Sequence, residues 1–157
     1  MKIIAQQWRD AVIDPVLRDI GLHSEAAVRL LLGTIAAESG FKLIVQLGNG
    51  PARSLFQIEP FTMYDVLSRT IHRYPKIYAG VMRWEVESQP WEDQLIWNMA
   101  FATYVARLKY YLDPEPLPNA NDIIALGEYY SRVYRTNLIA SGAERFLECY
   151  NRLVGHD

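Results

Sequence analysis

Apolar residues recur at every third or fourth position through most of this chain, and the pattern breaks where Gly and Pro fall. From about Ala5 to Ile20, apolar and charged positions alternate at helical spacing, with Pro15 set to kink or divide the stretch. Gly21 fits a helix stop, and Ser24 fits the N-cap of the next helix. That second helix carries Val28, Leu31, Leu32 and Ile35 at i, i+3, i+4 and i+7, which is an inward-facing stripe. Glu38 falls three residues beyond Ile35 on the same stripe, and Gly40 ends the helix. Between about residues 48 and 60 come two Gly, two Pro and an Asn among short apolar pieces, which predicts a loop or short β-like excursion.

Thr62 to His72 reads as helix again, with Val66 and Leu67 inward. Tyr74 to Gln89 is mixed, broken by Pro75, Gly80 and Pro90. Trp91 to Leu112 is the longest helix the pattern predicts, carrying Leu95, Ile96, Met99, Ala102, Tyr104, Val105 and Leu108. Asp113 to Asn119 holds three prolines in five residues and must be a loop. Two further helices, about Ala120 to Tyr134 and Gly142 to Leu153, complete the chain. With no internal repeat, low-complexity tract or linker, the expectation is a mainly α, single-domain fold of several helices.

At 157 residues and 18.1 kDa the chain is long enough to bury a substantial core. Half its residues are hydrophobic and 22% are charged, which excludes a disordered chain. The formal charge of −2 provides no broad basic face, so no nucleic-acid partner is expected. Cys149 is alone, and its neighbours Phe146, Leu147 and Tyr150 place it on a core-facing helix as an inert thiol. The apolar run near the N-terminus, Ile3-Ile4-Ala5, is far short of a signal-peptide core. No window approaches the ~18 apolar residues of a membrane span. The expectation is synthesis in the cytoplasm, with work elsewhere requiring another exit route or a removed leader.

Glu38 is the residue that asks for chemistry. A carboxylate on an apolar stripe is expensive to bury charged, and desolvation raises its pKa. The carbonyl end of the helix pushes the same way by only about 0.3–1 kcal/mol, so burial dominates. The expected result is an acid that still holds its proton near neutral pH, as protonation of a glycosidic oxygen requires. The plainer alternative is a solvated last-turn residue, or an ion-pair partner of Arg53 or another base.

Other constellations are poorer. His23, His72 and His156 are scattered without metal-ligand spacing, so no metal or cofactor is expected. There is no phosphate-binding Gly-rich loop and no Gly-x-Ser-x-Gly turn. Phe56 and Phe61 fit a core better than a sugar platform. Trp84, Trp91, Trp97, Tyr104, Tyr110 and Tyr111 could stack on sugars, but a helical core accounts for most of them.

Taken together, these residues resemble the lytic transglycosylase branch of the lysozyme-like superfamily. Members carry a Glu-Ser pair at a helix end, as Glu38-Ser39 here, then a segment of the form G-A-R-G-L-M-Q-I-x-P-x-T. The corresponding residues are Pro51-Ala52-Arg53-Ser54-Leu55-Phe56-Gln57-Ile58-Glu59-Pro60-Phe61-Thr62. An Asn that opens a helix with a small residue four positions on is matched by Asn98 and Ala102, and an Ala-Tyr-Asn-Ala-Gly block by Tyr129-Tyr130-Ser131-Arg132-Val133. The resemblance covers about residues 28 to 135. Departures are Ser54 for the usual Gly, Gly48 where Ser is common, and Ser131 and Val133 for Asn and Gly. The stretch 130–137 is similar to small bacteriophage lysozyme-like proteins.

The resemblance implies a lysozyme-like domain that cleaves the β-1,4 bond between N-acetylmuramic acid and N-acetylglucosamine in peptidoglycan. Glu38 would be acid and then base, closing a 1,6-anhydro ring without water. Gln57 would shape the cleft, Ser39 would contact sugar or fix the helix end, and Tyr130 would approach the catalytic carboxyl. Each has a plainer role open to it: Gln57 satisfying backbone groups, Tyr130 filling core. Glu59 is a possible second carboxylate, which would make the enzyme a hydrolytic muramidase. Asp65 is expected on the outer face of its helix. The expected partner is the glycan strand, reached from a phage virion or by holin-dependent release. A catalytically silent structural component of a phage particle is the remaining alternative.

Overall fold

The computed structural model describes residues 1–135 and 142–155; His156 and the last two residues of the stretch 130–137 lie outside them. The chain opens with α1 (Ile3–Trp8), a π-helical turn (Arg9–Ile13) and α2 (Asp14–Asp19) in direct succession. Pro15 falls at the start of α2, just after the wide turn. Proline offers no N–H to the turn before it and its ring crowds that turn's carbonyl, so a locally widened helix accommodates it. The predicted division at Pro15 thus takes the form of a π turn.

Ser24 caps α3 (Glu25–Ser39), its hydroxyl accepting from the Ala27 N–H at 3.1 Å. Val28, Leu31, Leu32 and Ile35 are all fully buried, but so are Ala27 and Thr34, and Leu30, Ala36 and Ala37 nearly so. A helix buried around most of its circumference runs through the centre of a fold. Here the helices formed by residues 99–111, 123–133 and 142–153 all pack against it.

Between α3 and α4 (Pro60–Arg73) the chain makes the short β-like excursion. Val45 pairs antiparallel with Arg53, and Arg53 with Ile58; a 3₁₀ turn (Leu47–Asn49) sits in the first bend. The excursion begins earlier than residue 48, because Ile44 already accepts from the Ser54 N–H at 2.8 Å.

Two element expectations are corrected. Tyr74 to Gln89 contains a helix, α5 (Pro75–Met82), because proline at a first helical position starts a helix instead of breaking it. Trp91 to Leu112 is two helices, α6 (Trp91–Trp97) and α7 (Met99–Tyr111), and the 15-residue α3 exceeds both. Asn98 causes the break: its side chain accepts from the Phe101 N–H at 3.0 Å and donates to the Trp84 carbonyl at 2.8 Å. The Asn of the resemblance therefore does open a helix, α7.

A coil follows, then α8 (Ile123–Val133) and α9 (Gly142–Leu153). The fold is mainly helical, and one cluster of buried apolar residues draws on every helix. Through its middle runs a ladder of rings, Tyr129–Tyr110–Tyr134–Tyr130–Phe146–Tyr150, with neighbouring centroids 5.2–6.0 Å apart. Cys149 is buried beside it, as its neighbours predicted.

Candidate active site

The end of α3 determines where the site lies. Gly40 adopts φ 58°, ψ 29°, and its N–H returns to the carbonyls of Ile35 and Ala36, closing the helix. Only glycine takes this left-handed cap without strain. The chain then turns into the β-like excursion, so the last turn of α3 faces the 50s segment across an open cleft of about 540 Å³. Glu38 lines it, together with Gln46, Gln57, Glu59, Thr62, Lys109, Tyr134 and Arg135.

Glu38 is only part-buried, which corrects the burial expected from its place on the apolar stripe. The Tyr130 hydroxyl donates to its Oε1 at 2.5 Å. Among the described residues its Oε2 accepts no hydrogen bond and so remains open to the cleft. Tyr130 is fully buried between Tyr134 and Phe146, so it is both core aromatic and partner of the carboxyl. Burial first, then the negative charge of Glu38, pushes its phenol far above the ordinary tyrosine range. It therefore stays a donor at any physiological pH. The ion pair with Arg53 does not form; that guanidinium is spent on the carbonyls of Gly50 and Ala52.

The other expected site residues divide. Gln57 lines the cleft, and its amide donates to the carbonyls of Ser54 (2.9 Å) and Leu43 (3.3 Å), so it braces the excursion while facing the groove. Glu59 stands exposed on the rim, at the position preceding α4. Of the two roles open to Ser39, the structure shows the one at the helix end: it is 6% exposed, its hydroxyl donates back to the Ile35 carbonyl at 3.1 Å, and it does not line the cleft as sugar contact would require. A serine in the last turn commonly bonds its own helix in this way. Asp65 is exposed and paired with Arg69 at 3.3 Å. Phe56 is buried as expected, but Phe61 is 82% exposed, which corrects its assignment to the core. Tyr104 and Tyr110 are core residues, whereas Trp84 and Trp97 are about half exposed.

Of the cleft residues that the sequence reading did not assign to the site, Lys109 and Tyr134 matter most to its wall. Lys109 points out of α7, donating to the Tyr134 carbonyl at 2.7 Å with its ammonium 4.1 Å from the Tyr134 ring centre. Burial lowers its pKa, and the carboxylates of Glu38 and Glu59 pull it part of the way back. Tyr134 in turn donates to the Phe56 carbonyl at 2.8 Å, tying α8 to the far wall. A signal for Lys109 existed, since α7 carries only Arg107 and Lys109 as charged residues. On a helix so deeply buried, each charge needs a reason.

Beyond Lys109 and Thr62 the cleft continues into a second hollow of about 320 Å³, bordered by Phe61, Arg69 and Arg132. The two hollows share Thr62 and Lys109 as lining residues, and the part-buried carboxyl of Glu38 stands in the first. Comparison with protein-family models, with curated proteins and with solved structures returned no match to this chain.

Proposed function

We propose that this chain cleaves peptidoglycan glycan strands as a lytic transglycosylase, acting on the bond between N-acetylmuramic acid and N-acetylglucosamine. The observation that carries the reading is Glu38: one carboxyl oxygen is held by Tyr130 and the other is free at the wall of a groove. In this reaction Glu38 gives its proton to the glycosidic oxygen as the C1–O bond breaks. It then takes the proton of the C6 hydroxyl as that oxygen bonds to C1, leaving a 1,6-anhydro end. Such a reaction needs one carboxyl group where ordinary glycosidases need two. The backbone at Ser54 adds support, because it has φ 66° where the resemblance calls for Gly. Here the Ser54 hydroxyl accepts from the Phe56 N–H at 3.1 Å. Delivery by a phage virion, or release through a holin, would bring the enzyme to its substrate.

The test is zymography on peptidoglycan with the unaltered chain and Glu38→Gln. Clearing by the former alone supports the enzyme, and absence of clearing by both favours a structural part in a phage particle. A hydrolytic second reading is favoured by Glu59, which lines the same cleft and could activate water. Mass spectrometry of the products separates the two. Anhydro ends with Glu59→Gln still active support the transglycosylase; reducing ends that disappear with Glu59→Gln support the muramidase.

A further inference from the structure

The two charges of α7 go different ways. Lys109 faces the cleft of Glu38, while Arg107 lies on another face and has no part in the proposed reaction. Arg107 is 6% exposed, its Nε donates to the Leu22 carbonyl at 3.4 Å, and its guanidinium sits 5.5 Å from the Tyr111 ring centre. Its Nη1 is closed off from solvent and has no hydrogen-bond partner, and no ion pair includes Arg107 among the described residues. The nearby acids are engaged elsewhere. Arg132 donates to both oxygens of Asp113, at 2.9 and 3.1 Å, and to Glu115 at 2.8 Å. Burial pulls the Arg107 guanidinium down and only tyrosines push back, yet arginine does not shed its proton in a protein. A buried charge without a counter-charge is a costly arrangement, and an anion in the hollow that Arg107 lines would offset that charge without bonding to the sealed Nη1.

Arg107 also lines a hollow of about 370 Å³ that shares no residue with the 540 Å³ cleft of Glu38 and meets its 320 Å³ continuation only at Asp113 and Pro114. Its lining sets the rings of Tyr74, Tyr111 and Tyr129, with Pro116 and Leu117, beside the charged groups of Arg107, Asp113 and Glu115. At its edge Asp113 and Glu115 face the single positive charge of Arg132, which leaves one net negative charge there. A compact, strongly hydrated dianion such as phosphate would meet that charge and leave the rings uncovered. A singly charged ligand with a flat body meets the guanidinium with less repulsion and covers the rings as well.

We infer that this hollow binds a small organic monocarboxylate with a flat apolar body, its carboxylate set against Arg107 and its body among the tyrosine and proline walls. The inference is independent of what the Glu38 cleft does.

The test titrates the full chain with benzoate, benzamide and inorganic phosphate at constant ionic strength, following the Arg107 side-chain and tyrosine ring signals by NMR. Benzoate is expected to bind saturably, and benzamide, which has the same shape without the charge, about tenfold more weakly or worse. Arg107→Met is expected to abolish that preference. Benzamide binding as tightly as benzoate, phosphate binding more tightly, or no saturable response to benzoate would each overturn the assignment. So would a preference that survives Arg107→Met. The benzoate–benzamide comparison uses the unaltered chain, so it decides the matter whether or not the variant folds.

Discussion

At the scale of single residues, the contact between Tyr130 and Glu38 makes the sharpest prediction. Tyr130→Phe keeps the ring between Tyr134 and Phe146 and deletes only the hydroxyl that holds Oε1. A hydrogen bond to a charged group contributes about 1.5–3 kcal/mol, so kcat on glycan strands is expected to fall roughly 10- to 100-fold with KM little changed. Thermal stability should move less, because the part-buried Glu38 can take water in place of the lost donor. An unchanged kcat would show that the hydroxyl does not orient the carboxyl. Glu38 was legible in the sequence because an acid on an apolar stripe contradicts its surroundings. For Ser39 the spacing leaves sugar contact and helix-end bonding equally open, and only the structure shows that the hydroxyl turns back to Ile35. Phe61 was misread because hydrophobicity alone predicts burial, while its place on the first turn of α4 leaves it in solvent.

At the scale of elements, α3 and α9 meet through a glycine. A Cβ on Gly33 would overlap the Phe146 ring, which is fully buried beneath Tyr130. Alanine is ordinarily the better helix former, by about 1 kcal/mol. Overpacking a tight core costs about 1–3 kcal/mol and occasionally more, so the steric effect wins. Gly33→Ala is expected to destabilise the chain by about 1–2 kcal/mol in urea unfolding. Adding Phe146→Leu should recover part of that loss, so that the double variant is more stable than the two separate losses predict. Strictly additive losses would mean that the two helices do not meet at this point. The spans of α3 and α9 were readable because periodicity and end signals agree there. The break between α6 and α7 is invisible to periodicity, because Asn98 interrupts no hydrophobic period and acts through the Trp84 carbonyl, a tertiary contact; only the resemblance marked Asn98 as opening a helix. The hidden α5 shows that proline marks a helix start as readily as a stop.

At the scale of the whole molecule, three carboxylates clamp separate parts of the chain together. Glu25, at the start of α3, takes both arms of Arg9 from the π turn at 2.8 and 2.5 Å, and also the Nε of Arg29 at 2.8 Å. Asp19, at the end of α2, accepts from Trp84 and from Tyr104 of α7 at 2.9 and 2.7 Å. Asp113, just past α7, accepts from Arg132 of α8. All three have pKa values below the ordinary carboxylate range: Asp19 chiefly through Trp84, Asp113 through Arg132, and Glu25 through Arg9. For Glu25 the value falls from 4.5 to about 2. The folded state therefore takes up these protons at lower pH than the unfolded chain does. Their stabilisation is complete above about pH 5 and is lost as pH falls through the folded values. The Glu25 side chain is 37% exposed, so solvent screening holds its share to about 1 kcal/mol, or roughly 2–4 °C in Tm for a chain of this size. Glu25→Gln is accordingly expected to melt lower than the unaltered chain at pH 7 by about that amount. The two melting curves should converge as pH approaches 2, and ~1 M salt should narrow the gap at pH 7. A constant offset from pH 7 down to pH 2 would mean that packing around residue 25, and not its charge, joins the N-terminal helices to α3.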